Sequence, residues 1–159
     1  MIRISRLTDY GIVLMTSLAR HGAGDVRTAR ELSAEAHLPA PTVSKILKRL
    51  ARQGLLAAHR GARGGFSLAR PSSAISILEA IRALEGPFGI TECSAYPAER
   101  CELELCCPVG RNWQIINRAV RSALEAITLA DMARPLPQML VPAAPRSPVA
   151  SASARLPGA

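Results

Sequence analysis

The stretch PTVSKILKRLARQGLLAAHRGARGGFSLARP, residues 41 to 71, leaves a folding chain few options. Val43, Ile46, Leu47 and Leu50 recur at helical spacing as one apolar stripe, with Thr42, Ser44, Lys45, Lys48, Arg49 and Arg52 between them. That pattern predicts an amphipathic helix that buries the stripe, turns hydroxyls and cations outward, and stops at Gly54. Directly behind it, LLAAHR predicts a short strand, Gly61, Gly64 and Gly65 a turn, and Phe66 and Leu68 an alternating second strand ended by Pro71. A solvated charged face would account for the helix alone. A cationic helix followed at once by a glycine-tipped hairpin is instead the second half of a winged helix-turn-helix. The GARGG turn lacks the Lys-Ser/Thr ending of a phosphate-binding loop and precedes a strand, so it does not predict a nucleotide site.

The rest of the chain supplies the other parts of such a domain. Ser5 is a plausible N-cap for RLTDYGIVLMTSLARHG, where Leu7, Ile12, Met15 and Leu18 keep mostly helical spacing until His21-Gly22. Thr28 and Glu31 form a capping-box pattern at the head of TARELSAEAHL, and LPAP separates that helix from the cationic one by a tight turn. SAISILEAIRALEG predicts a helix from near Ser73, closed by Gly86-Pro87. NWQIINRAVRSALEAITLADM predicts one long helix with Trp113, Ile116, Val120, Leu124 and Ile127 along a stripe. A compact winged domain would leave this stripe bare. A second copy of the same helix is the simplest cover and predicts a homodimer suited to palindromic DNA; packing back on its own domain is the alternative. With 48% hydrophobic but only 3% aromatic residues, the core must come from Leu, Ile, Val and Ala, which favours a mostly α fold. The expected organisation is a winged helix-turn-helix domain at 1–86, a cysteine loop at 87–112, a dimerisation helix at 113–132 and a Pro-, Ala- and Ser-rich disordered tail at 133–159.

Charge points to the partner. The net charge is +8, and residues 1–70 hold twelve Lys/Arg against four Asp/Glu, whereas residues 71–140 hold six against eight. A cationic excess confined to the predicted winged domain attracts a polyanion, and double-stranded promoter DNA is the expected one. Thr42, Ser44 and Lys45 are placed to reach base edges, Lys48 and Arg49 to hold phosphates, and Arg60 and Arg63 to enter a groove from the wing. No signal-peptide pattern and no stretch of roughly 18 uncharged apolar residues occurs, so a cytoplasmic protein without a membrane partner is expected. No CxxC, HExxH or Ser-His-Asp pattern predicts catalysis, and the chain reads as a non-enzyme.

All four cysteines fall in CSAYPAERCELELCC, residues 93–107. In a reducing compartment such a cluster binds metal or switches by thiol chemistry more often than it forms structural disulfides. Seven residues separate Cys93 from Cys101, four separate Cys101 from Cys106, and Cys107 adjoins Cys106. Adjacent cysteines serve poorly as separate ligands of one small site, so the natural count is three ligands and a spare. Zinc sites favour pairs two to four residues apart, while an iron-sulfur cluster tolerates longer loops because its irons spread the ligands. Spacing alone leaves a cluster, a zinc site, a thiol redox switch and unliganded thiols all open.

LTDYG, PTVSKILKRLARQGLL, RGARGGFSLAR, ILEAIRALEGP, the cysteine loop, CPVGRNWQIINRAV and ITLADM, in this order, resemble the winged-helix iron-sulfur transcriptional regulators that include IscR and NsrR. The likeness covers about residues 1–134 and is nearest the subgroup regulating SUF-type cluster assembly, through the NWQxINRAxxxALExITLADM stretch. Each motif alone is weak or moderate, and their order carries the resemblance. It implies a homodimeric regulator, in first expectation a repressor of iron-sulfur assembly genes, holding a 2Fe-2S or 4Fe-4S cluster near the dimer helix. It also implies that Cys93, Cys101 and Cys107 are ligands, that Cys106 is the spare, and that Arg60 is the wing arginine. The chain departs from the IscR branch, which places a histidine three residues after the third cysteine, where Gly110 stands here. The NsrR branch draws an aspartate from the first helix of the other subunit, and Asp9 in LTDYG matches it. An acid in a helix's first turn is also favoured by the helix dipole alone. A zinc or thiol switch, or an iron-sulfur electron carrier, are the competing readings.

Overall fold

The computed structural model describes residues 4–22, 24–61, 64–91, 94 and 107–135. In chain order these form α1 (Arg6–His21), α2 (Ala29–Ala36), α3 (Ala40–Arg52), β1 (Leu56–His59), β2 (Gly65–Leu68), a single 3-10 turn (Ser72–Ala74), α4 (Ile77–Glu85), α5 (Gly110–Ala126) and α6 (Leu129–Ala133). The fold is mostly α with one two-stranded antiparallel wing among the described residues, the architecture the sequence predicts.

Side-chain caps fix where most helices begin. Ser5 Oγ accepts from the Thr8 amide, and Thr28 with Glu31, Ser76 with Glu79, and Thr128 with Asp131 form reciprocal capping boxes. Each cap contributes about 0.5–2 kcal/mol by satisfying amides that the first turn leaves without partners. α2 ends where His37 turns left-handed, at φ 53°, and Pro39 and Pro41 then set the tight turn into α3.

The four stripe residues of α3 are completely buried, in a core cluster that also holds Leu14, Met15 and Leu18 of α1, Leu32 of α2, Leu84 of α4 and Leu129 of α6. Burial of this kind stabilises by about 1.5–3 kcal/mol per side chain. α1 crosses α4 so closely that a Cβ on Gly11 would collide with the Leu84 side chain, which explains the glycine of LTDYG.

The wing pairs Leu56 with Leu68 and His59 with Gly65. Its inner strand also bonds to the segment before α2: Arg27 N–H donates to Phe66 O at 2.9 Å and Phe66 N–H to Arg27 O at 2.8 Å. This bridge, which the local sequence does not announce, holds the wing against the domain. A Cβ on Gly65 would stand 2.6 Å from the Arg27 carbonyl oxygen, so the position needs glycine. Phe66 and Leu68 pack on the core as their alternation predicts, while Ser67 is buried and lies 2.9 Å from His59 Nε2.

Two boundaries differ from the sequence reading. α4 begins at Ile77 rather than near Ser73, because Ser72–Ala74 form the 3-10 turn and Ser76 is the residue whose hydroxyl caps the helix. The long C-terminal helix starts at Gly110 and breaks after Ala126, where Ile127 and Thr128 turn extended. Ile77 N–H donates to Ile127 O at 2.9 Å and Leu129 N–H to Ile75 O at 2.8 Å, and Thr128 restarts the chain as α6. Helical continuity is exchanged for two long-range hydrogen bonds and the complete burial of Leu129.

α5 packs on α4. Trp113, Val120 and Leu124 of its predicted stripe are half-buried, whereas Ile115 is 67% and Ile116 44% exposed, and Ile127 beyond it is also exposed. The helix therefore packs partly on its own domain and keeps a second apolar edge in solvent. α6 is fixed to α1, with Arg20 Nε donating to Ala133 O at 3.3 Å, and the expected tail lies outside the described residues from 136 onward. No helix among the described residues is long and apolar enough to cross a membrane.

Candidate functional site

The outward face of α3 carries Lys45, Lys48, Arg49 and Arg52 and no acid. Lys45, Lys48 and Arg49 are exposed, and Thr42 and Ser44 are partly so. Ser44, Lys45, Lys48, Arg49, Arg52 and Gln53 line one shallow groove, which brings four of the residues predicted to meet DNA together; Thr42 and Arg60 do not line it. Arg52 and Gln53 extend it beyond the predicted set. Arg52 is legible in hindsight from its spacing, since it follows Lys48 by one turn on the same face. Arg49 is only partly available: its Nε donates to Ala83 O at 3.2 Å, in the last turn of α4, where the helix dipole favours a cation. That bond ties the cationic helix to α4.

The wing projects beside this face. Arg60 is exposed at the start of its turn, where Gly61 adopts φ 106° and Gly64 N–H closes on Gly61 O at 2.9 Å. Arg63 lies outside the described residues.

Of the predicted metal ligands, Cys93 and Cys101 lie outside the described residues, as does Cys106, and the test of fit rests on Cys107 and Asp9. Cys107 is a half-buried free thiol one turn before α5, whose Gly110 N–H approaches the Cys107 carbonyl at 3.5 Å. Gly110 contributes no side chain beside Sγ; a Cβ there would lie 3.9 Å from the sulfur. This thiol fits a soft-metal ligand. Asp9 is exposed in the first turn of α1, and α1 and α5 both pack on α4. Among the described residues no three His, Cys, Asp or Glu side chains converge.

One residue of this region escapes a pattern reading. Asn117, in the middle of α5, is 4% exposed and is the one buried residue that helix contributes. Its Oδ1 accepts from Ile90 N–H at 3.3 Å and its Nδ2 donates to Ser94 O at 2.7 Å. A buried amide within an amphipathic stripe is the signal that marks it, because such a group is stable only with its hydrogen bonds made.

Residues 4–135 match the family described as Rrf2, iron-dependent transcriptional regulator. An HTH-type transcriptional regulator of Mycobacterium tuberculosis is 32% identical over 135 residues, covering 83% of this chain and 81% of that protein. Among solved structures, CymR, the global cysteine regulator of B. subtilis, superposes with a TM-score of 0.69 at 27% identity, over 84% of this chain and 97% of CymR. T. potens IscR gives 0.61 at 26% identity, over 82% and 85%. The winged helix, its acid-free cationic face and the match along nearly all the described residues lead to one conclusion: the chain belongs to the Rrf2 family of DNA-binding transcriptional regulators.

Proposed function

We propose that the chain is a homodimeric repressor of iron-sulfur cluster assembly genes whose promoter affinity depends on an iron-sulfur cluster, held by Cys93, Cys101 and Cys107 with the partner subunit's Asp9 as fourth ligand. The observation that carries this reading is mechanical. α4 packs on α3, to which Arg49 ties it, and equally on α5, which Cys107 leads into, so the helix that follows the cysteine segment and the cationic helix share one neighbour. The family's description as iron-dependent supports the metal, and the soft thiol at the head of α5 supports iron-sulfur ligation.

When bound, the cluster supplies an iron- and redox-responsive bond network among thiolates that are otherwise separate. The chain's own residues do the rest. Thr42, Ser44 and Lys45 meet base edges, Lys48 and the free part of Arg49 meet phosphates, and Arg60 and Arg63 reach the groove beside them. The exposed edge of α5, with Ile115 and Ile116, meets its copy and sets the spacing of the two α3 helices. Ligation of the segment before α5 would fix the angle between the two winged domains of the dimer, and its loss would release that angle; by linkage, DNA and cluster would alter each other's affinity.

A second reading has its own support. CymR is a global cysteine regulator, and its likeness to this chain favours cysteine or redox sensing without a cluster, with the thiols as the switch. Cys106, the expected spare, is then a disulfide partner. An electron carrier would leave the cations of α3 without a role.

Anaerobic purification followed by visible absorption and iron-to-sulfide analysis separates these readings. The proposal expects a coloured protein with matched iron and sulfide. It expects Cys106→Ala to keep the colour and Cys107→Ala to lose it. A colourless protein carrying zinc contradicts the cluster, and the reverse pattern in the two variants contradicts the choice of ligand.

A further inference from the structure

We infer that Asn117 is a positioning residue that ties the Cys93 end of the cysteine segment to α5. This rests on the reading of that segment as the ligand-bearing element. Asparagine is a poor choice at this position on helix propensity and on burial alike, since its amide leaves water while leucine would fill the site without that cost. An unmade hydrogen bond there would cost about 1–3 kcal/mol, and both ends of the amide are used. The carbonyl oxygen accepts from the Ile90 amide and the nitrogen donates to the Ser94 carbonyl. Exchanging the two ends would set donor against donor and acceptor against acceptor, so the arrangement has one sense.

The residues gripped by Asn117 bracket Cys93. Ser94 follows Cys93 directly and is 5% exposed. Its amide donates to Thr91 O at 2.9 Å, its hydroxyl donates to the same oxygen at 2.9 Å, and Thr91 N–H donates to Ser94 Oγ at 3.0 Å. Thr91 and Ser94 are thereby joined on both sides of Cys93, and Asn117 fastens that closure to the helix. Cys107 reaches the same helix by another route, through the turn that opens it. Gly110 and Asn117 are about 10 Å apart along the axis at 1.5 Å per residue, and the Asn117 side chain leans toward the N-terminus. One rigid helix thus provides the reference for both ends of the cysteine segment, and a centre assembled between them bears on α5.

The test uses Asn117→Leu, which keeps the branched shape but makes neither hydrogen bond, and Asn117→Asp, which keeps the acceptor for Ile90 but sets an acceptor against the Ser94 carbonyl. In the metal-free, reduced full chain, pulsed alkylation with N-ethylmaleimide, mapped by peptide mass, reports each thiol. The rate at Cys93 should rise severalfold in both variants while the rate at Cys107 stays near wild type, in protein that still unfolds cooperatively and whose melting temperature falls by no more than the lost hydrogen bonds explain. Unchanged Cys93 rates in a folded variant overturn the inference, and so does an equal rise at all four thiols, which would mean general loosening. In protein loaded anaerobically with ferrous iron and sulfide, the variants should bleach severalfold faster under a chelator than wild type; equal bleaching rates overturn the inference. A wild-type protein that takes up no chromophore defeats the cluster reading instead, and the alkylation rates still decide the role of Asn117.

Discussion

α3 and α5 are both strongly amphipathic, yet α3, with 13 residues, buries Val43, Ile46, Leu47 and Leu50 completely, while α5, with 17, buries only Asn117 and leaves Ile115 and Ile116 in solvent. The first is surrounded by α1, α2, the wing and α4. The second touches α4 and the residues flanking the cysteine segment. An amphipathic pattern states that a face must be covered but not by what, and the single chain covers one of these helices and not the other. α3 is accordingly a finished structural element whose cationic face is left in solvent, where our proposal places DNA. α5 is an element whose apolar edge is left in solvent, where our proposal places a second copy, and whose buried amide holds Ile90 and Ser94.

The largest expected effect breaks the finished side of this comparison. Leu47→Ala should lower stability by about 2–5 kcal/mol in denaturant unfolding, the cost of lost burial plus a cavity in a packed core. Ile115→Ala, with a side chain of similar size, should leave the unfolding of the dissociated chain nearly unchanged. Equal losses at the two sites would mean that α5 is as enclosed as α3. Ile115→Arg sharpens the contrast: self-association measured by sedimentation should weaken at least about 100-fold, since each of the two copies loses roughly 1.5–3 kcal/mol of apolar burial. A wild-type chain that remains monomeric at high concentration would end the role assigned to that edge.

Smaller effects separate the side chains of α3. Lys45→Ala should cost about 1–3 kcal/mol of promoter binding and relax base choice, whereas Lys48→Ala should weaken all sequences alike and reduce the salt slope by about one. Titrations of matched and mismatched duplexes across a salt series distinguish the two.

The smallest effect concerns the joint between α1 and α2. His21 Nε2 lies 3.0 Å from Glu35 Oε2, and this hydrogen bond holds the Glu35 carboxyl below its usual value of 4.5. A depressed carboxyl contributes stability above its ordinary pKa and loses it as pH falls through the lowered one. Glu35→Gln should therefore cost under about 1 kcal/mol at pH 7, because the pair is substantially exposed, and wild type and variant should converge in acid. Thermal melts from pH 7 down to pH 3 measure it. A gap that persists in acid would assign the loss to packing.

What could be read from the sequence follows the same division. Short-range chemistry was legible: the caps at Ser5 and Thr28, the stripe of α3 and the glycine turn of the wing each depend on residues a few positions apart. Contacts between distant segments were not. The Arg27–Phe66 bridge, the Arg49–Ala83 hydrogen bond and the pairing of Ile75 and Ile77 with Leu129 and Ile127 join residues whose neighbours give no local sign of each other. The break at Thr128 shows the cost of that blindness, because helical periodicity runs straight through a point where tertiary hydrogen bonds prevail. The cationic face of α3 was legible since one helix carries it. The cysteine segment was legible in composition only, and the part played by Asn117 appears once the fold brings residues 90 and 94 to α5.

The central claim, that the state of the cysteine segment sets DNA affinity, is tested most directly by anaerobic titration of one protein preparation before and after removal of its chromophore by a chelator. The duplex is a promoter fragment from iron-sulfur assembly genes of the source organism, and a scrambled duplex serves as the control. The account predicts at least about a tenfold change in affinity for the promoter and little change for the control, a coupling of the usual allosteric size. Identical promoter affinities in the two states would contradict it.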